Sequence, residues 1–88
     1  MSNHQGSYMV NKILQTMEKH GIFSILKPEE IQPMIKDIVN ITTNYYDCNA
    51  SEVLEGVGKR LKICYYCLNL VDNFAPGTYG ICVDCNNG

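Results

Sequence analysis

Residues 64–85, CYYCLNLVDNFAPGTYGICVDC, hold two Cys-x-x-Cys steps, Cys64/Cys67 and Cys82/Cys85, with fourteen residues between them. Such a step folds into a tight knuckle that aims both sulfurs at one point, and two knuckles complete the tetrahedral thiolate shell that zinc accepts. The intervening residues alternate apolar and polar from Leu68 to Phe74. They turn at Ala75-Pro76-Gly77-Thr78 and return through Tyr79-Gly80-Ile81, so knuckle, hairpin, knuckle is the predicted outline. The segment has too few apolar residues for a core of its own, and one structural zinc ion held by Cys64, Cys67, Cys82 and Cys85 is expected to order it.

Two rival readings of the cysteines are weaker. A redox Cys-x-x-Cys stands at the start of a helix that lowers the thiol pKa. Here Cys67 leads into Leu68-Asn69-Leu70-Val71, which reads as strand, and Cys85 precedes only Asn86-Asn87-Gly88. Structural disulfides belong to secreted chains, yet no apolar signal segment follows Met1 and five cysteines leave one unpaired. A cytoplasmic location is the expectation. No stretch approaches the ~20 apolar residues of a membrane span.

Upstream of the knuckles the pattern is helical. Residues 1–7 lack apolar periodicity and read as a flexible tail. Met9, Val10, Ile13, Leu14 and Met17 line one face of a first helix over about 8–20, stopped by Gly21. Gly21 to Leu26 reads as a packed connector. Pro28 opens a one-turn lead over 28–31, and the main helix is expected from Pro33, because proline disfavours helical backbone in the residue before it. An apolar stripe of Ile31, Met34, Ile35, Ile38, Val39, Thr42, Tyr45 and Tyr46 then runs to about residue 46. Asn49 with Glu52 has the form of a capping box for a third helix carrying Val53, Leu54, Val57 and Leu61, weakened by Gly56 and Gly58 at ~1 kcal/mol each.

The predicted architecture is therefore mainly α. A bundle of about three helices over 8–62 carries a zinc-binding annex over 63–88 with a ribbon-like β-hairpin. A domain this small needs a staple, which the metal provides. The breadth of the 31–46 stripe leaves room for a second copy of the chain, so a homodimer through Ile31, Ile35, Ile38 or Val39 is one arrangement it allows.

Apolar residues make up 45% and charged residues 18% of the chain, and the formal charge is −2. Four thiolates with one divalent cation subtract a further 2. That balance disfavours a general nucleic-acid binder. Residues 1–58 carry four Lys against seven acids, and the one basic cluster is Lys59, Arg60 and Lys62, beside the first knuckle. With Tyr65 and Tyr66 it forms a basic and aromatic surface suited to a protein partner, in which tyrosine and arginine are enriched, or to stacking on single-stranded bases.

Catalytic arrangements are not found. His20 at a helix end and His4 in the expected tail build no Ser/His/acid or Cys/His set, and the paired glutamates fall in first helical turns, where the helix dipole accounts for them. Cys48 could be a fifth ligand or a reactive thiol, but a lone cysteine after an apolar helix reads first as partly buried and inert. Four cysteines leave no open coordination position, so the metal is read as structural and the chain as a non-enzyme.

Residues 63–86 resemble small zinc-ribbon and zinc-finger-like proteins, and the ending Ile81-Cys82-Val83-Asp84-Cys85 resembles the Gin-type anti-sigma proteins of spore-forming bacteria. The resemblance covers about a quarter of the chain. It implies a regulatory or adaptor module that acts by protein–protein interaction and inhibits a transcription component; a nucleic-acid-binding regulator is the alternative. The sequence departs from common ribbons at Leu68, where a glycine often follows the second cysteine to allow positive φ, a role Asn86 suits better after Cys85.

Overall fold

The computed structural model describes residues 3–88. The first helix, α1, spans His4–Lys19 and so begins inside the stretch expected to be a tail, whose residues 1 and 2 lie outside the described part. Its start is fixed locally and at long range. Asn3 Oδ1 accepts from the Gly6 N–H at 2.9 Å, and the Asn3 N–H donates to the Asp47 carbonyl at 2.7 Å. Buried Ser7 donates its hydroxyl to Asn3 O and accepts from the Asn49 N–H at 2.8 Å. Such distant partners leave no trace in local periodicity.

Helix α1 ends as expected, at Gly21 with φ 80. A 3-10 turn over Ile22–Ser24 then leads into α2, Pro28–Tyr46. The expected interruption before Pro33 does not occur, and α2 is continuous through it. Pro33 is the sixth residue of the helix and, like Glu29 whose carbonyl loses its partner, is exposed to solvent. The Lys27 N–H is capped by Glu30 Oε1 at 3.0 Å.

The expected third helix is two short ones, α3 over Ala50–Val53 and α4 over Val57–Leu61. Gly56 separates them at φ 77, a backbone region that side chains avoid. Asn49 caps α3 through the Ser51 N–H, but Glu52 does not close the box; its carboxylate engages His4. The carbonyls of Val53 and Glu55, freed where α3 stops, both accept from Asn11 Nδ2 at 2.9 Å. Buried Asn11 thus ties α1 to the break.

The annex departs from expectation most. The predicted β-hairpin is not formed among the described residues; two isolated antiparallel pairs, Ile63 with Leu70 and Phe74 with Cys82, stand in its place. The chain bends at Asp72, and the returning arm turns directly after Cys82 into a short helix, α5, over Val83–Asn87. Positive φ falls on Leu68 and not on Asn86, which is helical.

One core joins all of this. Leu14, Ile31, Ile35, Val39, Cys48, Val53, Leu54 and Val57 from the helical part cluster with Ile63 and Leu68 from the annex. Gln32 Nε2 also donates to the Leu68 carbonyl at 2.6 Å. The stripe residues Ile31, Ile35 and Val39 are buried within the single chain, and Ile38 is half-buried, so they do not offer the dimer surface the sequence allowed. Apolar side chains do reach solvent elsewhere, at Met9, Ile13, Ile41, Tyr45 and Tyr46. No helix among the described residues is long and apolar enough to cross a membrane.

Candidate metal centre

The first knuckle closes through the Leu68 N–H, which donates to the Cys64 carbonyl at 2.8 Å. Its backbone then points two donors at one sulfur: the N–H groups of Tyr66 and Cys67 lie 3.4 and 3.5 Å from Cys64 Sγ. The second knuckle repeats the plan, with the Cys85 N–H 3.5 Å from Cys82 Sγ and the Asn86 N–H donating to the Cys82 carbonyl at 3.0 Å. A cross-link completes the pairing, since the Cys82 N–H also lies 3.4 Å from Cys64 Sγ.

These two frames bring the four sulfurs of Cys64, Cys67, Cys82 and Cys85 within 4.8 Å of one another. The Cys64 and Cys85 sulfurs are 3.9 Å apart. Zn–S bonds of about 2.3 Å arranged tetrahedrally give sulfur–sulfur edges of about 3.8 Å. The four sulfurs are therefore close enough to share one metal ion, and the 3.9 Å pair is far too open for a disulfide, whose S–S distance is about 2.05 Å. All five cysteines are free thiols.

Electrostatics in the cluster argue for a cation. Burial raises the Cys64 thiol, but backbone donors at Cys67, Cys82 and Tyr66 outweigh it and bring its pKa down to about 7. Cys85 is pushed up to about 12, first by its hydrogen bond with Cys82, then by burial and the sulfurs of Cys67 and Cys64. Burial likewise raises Cys67. The charge of Cys64 thus opposes ionisation of Cys67 and Cys85 beside it, and a cation among them would offset that repulsion.

Cys82 is the N-terminal cap of α5, contrary to the expectation that no helix accompanies either pair. Helix α5 has five residues and carries the second ligand of its own knuckle, so it belongs to the metal frame. Cys48 is buried in the core and stands outside the cluster; it is not a fifth ligand. Among the described residues, the four annex cysteines are the one His/Cys/Asp/Glu group close enough to share an ion.

The residues expected to form a basic and aromatic surface divide. Tyr66 projects outward and is 73% exposed, whereas Tyr65 packs against the core. Arg60 is committed to Glu18 of α1 through two hydrogen bonds, Nη2 to Oε1 at 2.7 Å and Nε to Oε2 at 3.1 Å. Lys59 and Lys62 remain exposed; Lys59 lies with its stem beside Gly80, and Lys62 ends α4 at φ 61. The 42-residue separation of Glu18 and Arg60 hid their pairing from the sequence.

Compared with protein-family models, with curated proteins and with solved structures, the chain finds no match.

Proposed function

We propose that this chain binds one structural Zn²⁺ through Cys64, Cys67, Cys82 and Cys85 and acts as a regulatory or adaptor module through protein–protein contact. The convergence of four thiol sulfurs to within 4.8 Å of one another carries the reading. An all-thiolate shell has no open position for substrate or activated water, which favours a structural over a catalytic role. Association is supported by the side chains left outside the core: Tyr66 on the knuckle, and Met9, Ile13, Ile41, Tyr45 and Tyr46 on the helices. Inhibition of a transcription component, which the resemblance of residues 81–85 to Gin-type anti-sigma proteins implies, is one form this contact would take.

The nucleic-acid alternative draws on the same knuckle but loses its strongest cation, because Arg60 is engaged by Glu18. Two lysines neutralising about two phosphates give a log–log salt slope near −2 and weak binding. Elemental analysis of protein purified without chelator tests the reading: one zinc per chain is expected, lost on Cys82→Ser. Metal-free protein with an ordered annex sinks it. In the same preparation, tight oligonucleotide binding abolished by changing Lys59 and Lys62 transfers the function to the alternative.

A further inference from the structure

A cleft of about 190 Å³ opens where α1, α3 and the annex turn meet, lined by Tyr8, Asn49, Ser51, Glu52, Glu55 and Tyr79. Its walls come from three separate parts of the chain and combine two aromatic rings with two carboxylates and no Lys or Arg. Both rings are available, Tyr8 at 39% and Tyr79 at 70% exposure. Glu52 is satisfied by His4, whose Nδ1 lies 2.6 and 2.8 Å from its two oxygens. Glu55 has no ion-pair partner among the described residues, so its charge faces the cleft uncompensated.

The walls are held before any ligand arrives. The Asn49 N–H donates to Ser7 beside Tyr8, Asn49 Oδ1 accepts from both the backbone and the hydroxyl of Ser51, and Asn11 fixes the Glu55 carbonyl. Tyr79 sits between two annex anchors: Thr78 Oγ1 donates to the Ala75 carbonyl at 2.7 Å, and the Gly80 carbonyl accepts from the Tyr65 N–H at 3.2 Å. Burial first, and then the nearby charges of Glu55, Glu52 and Tyr79, raise the Tyr8 phenol.

We propose that this cleft binds an organic cation of the trimethylammonium type, seated against the rings of Tyr8 and Tyr79 and neutralised by Glu55. Aromatic rings attract cations through their quadrupoles, and quaternary ammonium groups are the ligands for which such ring pairs are best suited. Ca²⁺ takes six to eight oxygen ligands, and one uncommitted carboxylate cannot supply them. A primary ammonium is strongly hydrated and forfeits more on entering. The volume is below the ~300 Å³ at which drug-sized pockets begin, so a compact headgroup fits and a larger ligand does not.

The test is an NMR titration of the metal-loaded full chain, following the tyrosine ring signals. Choline, phosphocholine and an acetylated trimethyllysine amide serve as probes and separate free, headgroup and protein-borne sources. Saturable shifts with at least one cation are expected, at a dissociation constant on the order of 1 mM. Tyr79→Ala weakens it about tenfold, Tyr79→Phe leaves it within about twofold, and Glu55→Gln weakens it at least threefold. Both positions are exposed, so the variants keep the fold, which the dispersion of the same spectra verifies. No saturable shift with any probe overturns the proposal, as does equal binding of the neutral isostere 3,3-dimethylbutanol or binding indifferent to Tyr79→Ala. Metal content, measured on the same samples, reads the zinc assignment separately.

Discussion

Leu68 holds φ 60 directly after the second ligand of the first knuckle, a conformation that a β-carbon makes costly by roughly 1–2 kcal/mol. Glycine is the residue that relieves such strain, yet here the side chain is buried in the shared core, where a leucine contributes about 1.5–3 kcal/mol and its loss leaves a cavity besides. Burial outweighs strain. Leu68→Gly should therefore destabilise the metal-loaded protein by about 1–3 kcal/mol in a urea titration. A gain in stability would show that the backbone, and not the packing, dominates at this position. The clustering of the four annex cysteines is legible from spacing alone, because a Cys-x-x-Cys step constrains geometry within three residues. The residue bearing positive φ was not, since a leucine adopts it only when a core elsewhere in the chain rewards it. Tyr65 and Tyr66 make the same point: adjacent and identical, they part into core and solvent according to what lies behind them.

At the scale of elements, α1 and α2 were readable because their apolar residues repeat at helical intervals over several turns. Their edges were not. The start of α1 depends on Ser7 meeting Asn49, and α2 runs through Pro33 at a point where Glu29 and Pro33 are both exposed. The third predicted helix failed in an instructive way. Gly56 and Gly58 appeared only as weak points in a periodic run, but they act differently: Gly56 breaks the helix through its backbone, and Gly58 admits a close neighbour. A β-carbon at residue 58 would lie 3.0 Å from the Ile63 carbonyl oxygen and 3.2 Å from Leu54 Cβ. Helical propensity favours Gly58→Ala by about 1 kcal/mol, whereas overpacking against a backbone oxygen costs about 1–3 kcal/mol. The clash should prevail. Net destabilisation is expected on thermal melting of Gly58→Ala, together with altered amide shifts at Ile63; an alanine variant as stable as the parent would mean that α4 stands further from the annex than it does here. The expected β-hairpin is not formed among the described residues for a related reason. Alternation over 68–74 promised a strand, but a strand needs a partner of equal length, and α5 takes the returning chain away after Cys82.

Across the whole molecule, the division into helical domain and annex describes the sequence better than it describes the core. Ile63 and Leu68 pack among residues of α1 to α4, Cys64 is fully buried, and the Gln32 amide reaches across to the Leu68 carbonyl. Helices of four and five residues, α3 and α4, are far below the ~12–15 residues at which an isolated helix becomes marginally stable. They persist because α1 and α2 cover one side and the first knuckle covers the other. An ion held at the cysteine cluster would therefore supply folding energy to the chain as a whole, not only to residues 63–88. If removing the ion costs even ~3 kcal/mol, the helical melting transition of a chain this size should fall by about 10–20 °C. Far-UV circular dichroism at 222 nm, recorded with and without a strong chelator, reads this directly, because most of the helix lies in α1 and α2, outside the annex. One cooperative transition moving down as a unit is the expected result. An unchanged helical melt accompanied by loss of ordered signals from residues 63–88 alone would show that the annex is an independent, metal-dependent appendage and that the shared core contributes little to holding the two parts together.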